Sequence, residues 1–513
     1  MTPDEIEKEY LTGEFKLKSL FSAENAKREF LIERCEKYAG WTLPVVFPND
    51  ELADTEEMQH DYQSVGAQAV THLSNKIMMA LFQPSRAFFR LNLTAEQRES
   101  IIQSDSIKEA QIDEALAGAE RSAMRELETI NARTVLTDTI LNLIITGNAL
   151  VHMPPDGKLK MYSLRDYIII RNLRGDIVMI ILKESKTVKA MGDQLAATAR
   201  EHGYKKDDEV FLYTGIQVTG DKKYVVWQEM ENLCYCHRSI GIETEHTLPW
   251  IPLTWNLSNN KDYGTGLVEN YAGDFHSLST FAEAILDYGT VITDLKYLVD
   301  PAGMTDVREI TETPSGGYVH GREEDISVLT PAVAQAADFL SNQFAMTERR
   351  IGAAFLMNSA VTRDAERVTA EEIRQQAQEL EGSLGGVYSR LAVELQQPLA
   401  RRLLKRLSGE LKDIEPTIVT GLESLSRNSE LDRLRAFFQD LLALSDVPEE
   451  VGDRIDYKSL ISVLGSGHGV EYDKFLKSEE QYLEDRQRKI DEQAQLAGQE
   501  AQAVADAQPT QGT

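Results

Sequence analysis

Cysteine is nearly absent: Cys35, Cys234 and Cys236 are the three in 513 residues, an odd number with two of them one residue apart. No disulfide framework follows, and a reducing compartment fits. No apolar run reaches the roughly 18–20 residues that cross a bilayer. The acidic opening MTPDEIEKEYLTGEFK holds no apolar signal segment, so a soluble chain made in the cytoplasm is expected, without a membrane partner. Positive charge is scarce as well, with 54 Lys and Arg against 83 Asp and Glu, a net of −29. A field of that sign repels phosphate and argues against a protein that grips duplex DNA by neutralising its backbone. Taken alone, the excess reads simply as solubility.

Catalytic patterns are missing too. The chain has no DxD-type acid cluster at a strand end, no His-Glu-x-x-His and no Gly-x-Ser-x-Gly. SGGYVHGRE lacks the Lys-Ser/Thr pair of a phosphate loop and reads as a β-turn. The nine histidines have no spaced partners for metal or base–nucleophile chemistry, and His276 reads as a polar-face or interface residue. Cys234-Tyr235-Cys236-His237 invites a metal reading, but no second Cys/His pair at zinc spacing exists, and strand alternation beside Val225, Val226 and Trp227 accounts for it. No catalytic residue, metal or cofactor is expected.

What is present is a folded composition, 42% hydrophobic and 27% charged, at a length that implies two to four structural units. Apolar spacing predicts a helix over 15–38, then a strap broken by Pro44 and Pro48. The next helix carries Val65, Ala69, Leu73, Ile77 and Leu81 on one face and stops at Pro84. Helices follow over 95–104, 107–130 and 132–147, the last closed by a left-handed cap at Gly147 and Asn148. From Leu150 to Trp255, runs such as YIIIR, DIVMIILK and YVVWQEM predict one antiparallel sheet with a helix inserted near 188–202. A helix over 266–294 spans roughly 40 Å. A compact strand-and-turn stretch separates it from a further helix ending near 356.

The apolar helix then runs into NSAVTRDAERVTAEEIR, a polar interruption closed by a capping box of Thr369 and Glu372. Leucines from Leu380 to Leu403 mark the long helix behind it. Gly382, Gly385 and Gly386 predict a kink or close contact within that helix. The rest reads as helical to about 490, before an Ala/Gln-rich low-complexity tail.

Several stretches carry a family likeness: GAQAVTHLSNKIMMALFQP, ITGNALVHMP, YGTGLVENYAGDF, VDPAGMT, GREEDISVL and above all FLMNSAVTRDAERVTAEEIRQQAQELEGSLGGVYSRLAVELQQPL. Through them the chain resembles the portal, or head-to-tail connector, proteins of short-tailed double-stranded DNA bacteriophages, from the first helix to about residue 430. The resemblance implies a mainly α portal fold with an α+β wing, assembled as a ring, with twelve copies in the virion, around a central channel. It implies a wing over 1–265, a stem helix over 266–294, a clip over 295–331 and a second stem helix over 332–356. A tunnel loop over 357–368, a long wing helix over 369–407, a crown over 408–490 and a flexible tail over 491–513 complete it.

The implied function is a conduit at one capsid vertex, in a virion assembled in a bacterial host, for packaging and ejecting DNA, with no enzyme activity of its own. A DNA-processing nuclease or ATPase of the packaging machinery is the alternative. The implied partners are copies of the chain, the DNA in the channel, the terminase large subunit, the tail adaptor or tube, the capsid and scaffolding proteins, and internal core proteins. Asn358, Thr362, Arg363, Asp364, Glu366 and Arg367 become the candidate DNA-facing loop. Ordering of that loop by Arg367 with Glu371 or Asp364 stays open beside it. Arg308, Glu309, Arg322, Glu323, Glu324 and Asp325 become the candidate docking surface of the clip. A channel lined mostly by acids, with a few basic rings, lets DNA slide without a deep trap.

Overall fold

The computed structural model describes residues 2–11, 15–49, 60–82, 87–92, 109–293, 296–329, 334–357, 379–406, 417–420 and 439, less 156, 221, 222, 232, 381 and 385. The helix expected over 95–104, the interruption from Asn358 onward, the Thr369–Glu372 capping box, the tail and most of the expected crown lie outside those residues. Two compact units are distinguished, Met1–Leu425 and Ser426–Thr513. The second contributes the helical Gln439 to the described residues, and the first holds all the elements below.

Helix α1 (Pro3–Tyr10) opens on a capping box: Thr2 Oγ1 accepts from the Glu5 amide at 3.4 Å, and Glu5 Oε2 accepts from the Thr2 amide at 2.7 Å. The reading of this segment as merely acidic passed over that signature. The single helix expected over 15–38 is two, α2 (Leu17–Lys27) and α3 (Glu29–Trp41). They part at Arg28, whose buried guanidinium donates to the Tyr167 carbonyl at 2.7 Å and to Asn25 Oδ1 at 3.1 Å. A buried charge needs its hydrogen bonds satisfied, and reaching the Tyr167 carbonyl fixes the turn between the helices.

Helix α4 (Val65–Leu81) buries all five predicted stripe residues. Strand β1 (Phe89–Asn92) follows, then α5 (Glu109–Thr129) and α6 (Ala132–Thr146). Gly147 ends α6 in the left-handed conformation, φ 78°, as the sequence predicts. It is also a close approach, because a Cβ there would lie 2.4 Å from the Gly266 amide nitrogen. Asn148 fastens the crossing: its side-chain amide donates to the Gly264 carbonyl at 2.9 Å, and its Oδ1 accepts from the Gly264 amide at 2.8 Å. The stretches ITGNA and YGTG are therefore one junction.

The sheet expected over 150–255 is two sheets. Strands β2 (Asn148–His152), β3 (Lys160–Tyr162) and the later β10 (Trp250–Thr254) form one, in the order β10-β2-β3. Strands β4 (Tyr167–Arg171), β5 (Ile177–Thr187), β6 (Glu209–Thr219), β7 (Lys223–Met230) and β8 (Cys234–Tyr235) form the larger one in chain order, with β9 (Gly241–Thr244) also on β7. All pairings are antiparallel. The split arises because β2 pairs with β10 (Trp250–Thr254) across about a hundred residues, for which no local signal exists. The helix expected over 188–202 is a 3-10 turn, Val188–Ala190, followed by α7 (Asp193–Glu201).

The larger sheet is covered on both faces. Ile168, Ile181, Tyr213, Val225 and Trp227 pack with Ile6, Leu17 and Phe21 of the N-terminal helices. Their neighbours Tyr167, Ile169, Ile180, Leu182, Ile216 and Val226 point the other way into the main core. Period-two side chains with two buried faces explain runs such as YIIIR that are apolar at nearly every position. Glu229 of β7 is buried with them. It accepts from the Leu17 amide at 2.8 Å and from Trp227 Nε1 at 2.9 Å, so it caps α2, which has no side-chain cap of its own. Burial pushes its carboxyl above the usual range.

Next come α8 (Ala272–Thr293), the hairpin β11 (Lys296–Val299) and β12 (Ile326–Leu329) with α9 (Val307–Glu312) between them, and α10 (Ala334–Ala354). The helix expected from Gly266 is interrupted once: a turn over Leu267–Asn270 breaks at Tyr271 before α8 starts. The helix expected over 369–407, described from residue 379 on, is broken as its glycines predict. Gly386 is left-handed at φ 85°, and α11 (Val387–Leu391), a π turn (Ala392–Gln396) and α12 (Gln397–Arg406) follow. In the stretch expected to be wholly helical, Thr417–Thr420 is a strand, β13, antiparallel to β1. Its Ile-Val pair between threonines is β-favouring, and β1 offers it an edge.

Candidate functional site

Helices α8 and α10 pack side by side. At their foot Phe275, Leu278, Ile351 and Phe355 are fully buried, and the Phe275 and Phe355 rings meet edge to face at 5.6 Å. Arg350 pairs with Asp274 at 2.8 Å across the two helices. Asp61, in the strap before α4, accepts from Ser279 Oγ at 2.5 Å, and Trp41 lies against the exposed His276 with centroids 5.7 Å apart. Away from the foot, Glu283, Leu286 and Asp287 of α8 and Phe339 and Met346 of α10 are exposed. Helix α8 holds Asp274, Glu283 and Asp287 but no Lys or Arg.

The exit from α10 is tightly determined. The Met357 amide donates to the Gly352 carbonyl at 2.8 Å and the Leu356 amide to the Ala353 carbonyl at 3.2 Å, the paired bonds of a Schellman motif. Its left-handed position, where glycine is usual, holds Leu356 at φ 57°. That conformation costs an L-residue about 1–2 kcal/mol. Packing of Leu356 on the main core offsets the cost, and His72 Nε2 lies 3.1 Å from the Leu356 carbonyl oxygen. The candidate loop residues Asn358, Thr362, Arg363, Asp364, Glu366 and Arg367 lie just past this exit, outside the described residues.

The insertion between α8 and α10 differs from the foot. Strands β11 and β12 pair antiparallel, Lys296 opposite Leu329 and Val299 opposite Ile326. Among its described side chains, from 298 to 327, none is buried. Leu298, Met304, Val307, Ile310 and Tyr318 are exposed apolar groups, Met304 at 81% and Tyr318 at 99%.

Of the six candidate docking residues, Arg308, Arg322, Glu323 and Glu324 are exposed and Glu309 is half-buried, its Oε1 3.6 Å from His320 Nδ1. Asp325 turns to an internal task. Its Oδ2 accepts from Thr305 Oγ1 at 2.8 Å and from the Met304 amide at 2.9 Å, and its carbonyl accepts from the Asp300 amide at 2.9 Å. The Thr305 hydroxyl and the Met304 amide hold the Asp325 carboxyl below the usual range. Tyr318 escaped the sequence reading, although an aromatic residue between Gly316-Gly317 and Gly321 was the available signal.

The cysteines behave as the strand reading expects. Cys234 lies in β8, Cys236 is buried, and burial pushes the Cys236 thiol up to about 12. His237 turns instead toward Glu7 and Asp4, at 3.5 and 4.0 Å, with all three side chains at least partly exposed to water.

Residues 15–476 match the model of the family described as bacteriophage head to tail connecting protein. The portal protein of Enterobacteria phage SP6 is 34% identical over 98% of this chain and 97% of its own length. That of Escherichia phage T7 is 34% identical over 93% of this chain and 90% of its own. A chain from the neck of an empty GTA particle overlaps 78% of this chain and 90% of its own at 11% identity, with a TM-score of 0.38. The family match spans α8, α10 and the junction of Gly147 with Gly266, and on it the chain belongs to the bacteriophage head-to-tail connecting proteins.

Proposed function

We propose that the chain is the subunit of a portal ring, with twelve copies in the virion, set at one capsid vertex so that double-stranded DNA enters and leaves through its centre. The observation that carries this reading is the family match over residues 15–476, backed by near full-length similarity to two phage portal proteins. The insertion supports it. A hairpin with no buried side chain among those described is marginal in water by itself, and Leu298, Met304, Val307 and Ile310 acquire a core when copies of the chain stand side by side. Electron microscopy of the purified protein should show rings with a central hole. Monomers and dimers alone, under assembly conditions, would overturn the reading.

In this role the insertion at 295–331 is the clip, which docks the terminase during filling and the tail adaptor afterwards. The residues beyond Leu356 form the tunnel loop, with Arg363 and Arg367 facing the DNA. Arg363→Ala and Arg367→Ala should leave ring assembly intact and lower the yield of filled particles, and normal filling and retention in both would remove the arginines from the DNA path. The role is structural. Nucleotide hydrolysis by the purified chain, abolished by a single acid substitution, would instead revive the nuclease or ATPase alternative.

A further inference from the structure

The loop over 313–322 is held at both ends and exposes its middle. At one end the Gly317 amide donates to the Pro314 carbonyl at 2.9 Å, closing a turn whose third residue, Gly316, has φ 89°, a conformation suited to glycine. At the other end the Arg322 amide donates to Thr305 Oγ1 at 3.0 Å, and Thr305 is itself fixed by Asp325. Between these pins Tyr318 stands 99% exposed, beside Val319 and an equally open His320 side chain. An aromatic ring with two side-chain torsions on a pinned loop loses little freedom on binding, and such residues dominate the energetics of interfaces.

The surroundings are acidic. Residues 296–329 contain seven carboxylates against Lys296, Arg308 and Arg322, a net of −4 in 34 residues. Asp325 is engaged internally, while Asp306, Glu312, Glu323 and Glu324 are exposed and Glu309 is half-buried. A partner of opposite sign is favoured over an acidic one at a surface of this charge density.

We propose that Tyr318 is the apolar anchor of a docking surface whose acidic rim, Glu312, Glu323 and Glu324, selects a partner protein presenting a basic face around an apolar pocket. This rests on the portal reading and specifies the chemistry by which the insertion is recognised. Leu298, Met304, Val307 and Ile310 remain for contacts between copies of the chain.

The test measures binding of purified wild-type, Tyr318→Phe, Tyr318→Ala and Glu323→Lys/Glu324→Lys rings to the terminase large subunit and the tail adaptor of the same phage, at low and high salt. For at least one of the two proteins, Tyr318→Ala should weaken binding at least tenfold while Tyr318→Phe stays within threefold. The double charge reversal should weaken it at low salt and less at high salt, as exposed charges are screened. If Tyr318→Ala binds both within twofold of wild type, the anchor is overturned, and if the reversal changes nothing, the basic face is. If Tyr318→Ala forms no rings, Tyr318 lies between copies instead, which also overturns the inference. Wild-type rings that bind neither protein overturn the docking role of the insertion together with it.

Discussion

The six-stranded sheet and the β11–β12 hairpin are both antiparallel, yet one is covered on both faces by its own chain and the other has no buried side chain among those described. The sheet buries Val225 and Trp227 on one face and Val226 on the other, and its covering helices come from the same chain. The hairpin buries nothing among its described side chains and keeps its shape through β-pairing and the Asp325 pin. Hydrogen bonds net only about 0.5–1.5 kcal/mol each, whereas full burial of one large apolar side chain is worth roughly 1.5–3 kcal/mol. Secondary structure is therefore no guide to autonomy here; the location of the apolar partners decides it.

The contrast can be broken most directly at aromatic residues. Trp227→Ala removes a buried ring that also donates to Glu229, and should cost about 3–5 kcal/mol, read from the midpoint of chemical unfolding. Tyr318→Ala should move that midpoint by no more than about 0.5 kcal/mol. Equal losses at the two sites would mean that the insertion has a core within the subunit after all.

Carboxylates sharpen the contrast, because the two regions titrate in opposite senses. Burial raises the Glu229 carboxyl, so the unfolded chain ionises first as pH rises. The stability it contributes is present below the unfolded value and lost as pH climbs through the folded one. Unfolding midpoints of Glu229→Gln should accordingly fall less than those of wild type between about pH 4 and 7, across and above the ordinary carboxylate range. Parallel profiles would show that Glu229 is not the group responsible.

The Asp325 carboxyl is lowered, with the Thr305 hydroxyl as the leading cause. Its contribution is present above the unfolded value and lost as pH falls through the folded one. The smallest global effect belongs to Asp325→Ala. Hydrogen exchange at the Met304 amide should quicken while the unfolding midpoint stays put, and a drop in that midpoint would tie the insertion into the main fold.

Local patterns were legible where local physics sets them. The stripe of α4, the left-handed cap at Gly147, the strands of YIIIR and YVVWQEM and the break at Gly386 all follow from spacing or backbone preference. Features set by distant partners were not. The α2–α3 break answers to the Tyr167 carbonyl, the two-sheet split to the pairing of β2 with β10, and β13 to the edge offered by β1. At the candidate site, charge drew attention to Arg322-Glu323-Glu324-Asp325 as a unit. The inward turn of Asp325 and the outward turn of Tyr318 depend on where the chain folds back at Thr305.

The cap on α2 also sets an order of events during synthesis. Leu17 leaves the ribosome 212 residues before Glu229, the side chain that receives its amide. At roughly 5–20 residues per second, the N-terminal helices wait about 10–40 s for the sheet they cover. The outer face of that sheet is thus sealed by the oldest part of the nascent chain, and truncations that remove the first helices leave it open from the moment it forms.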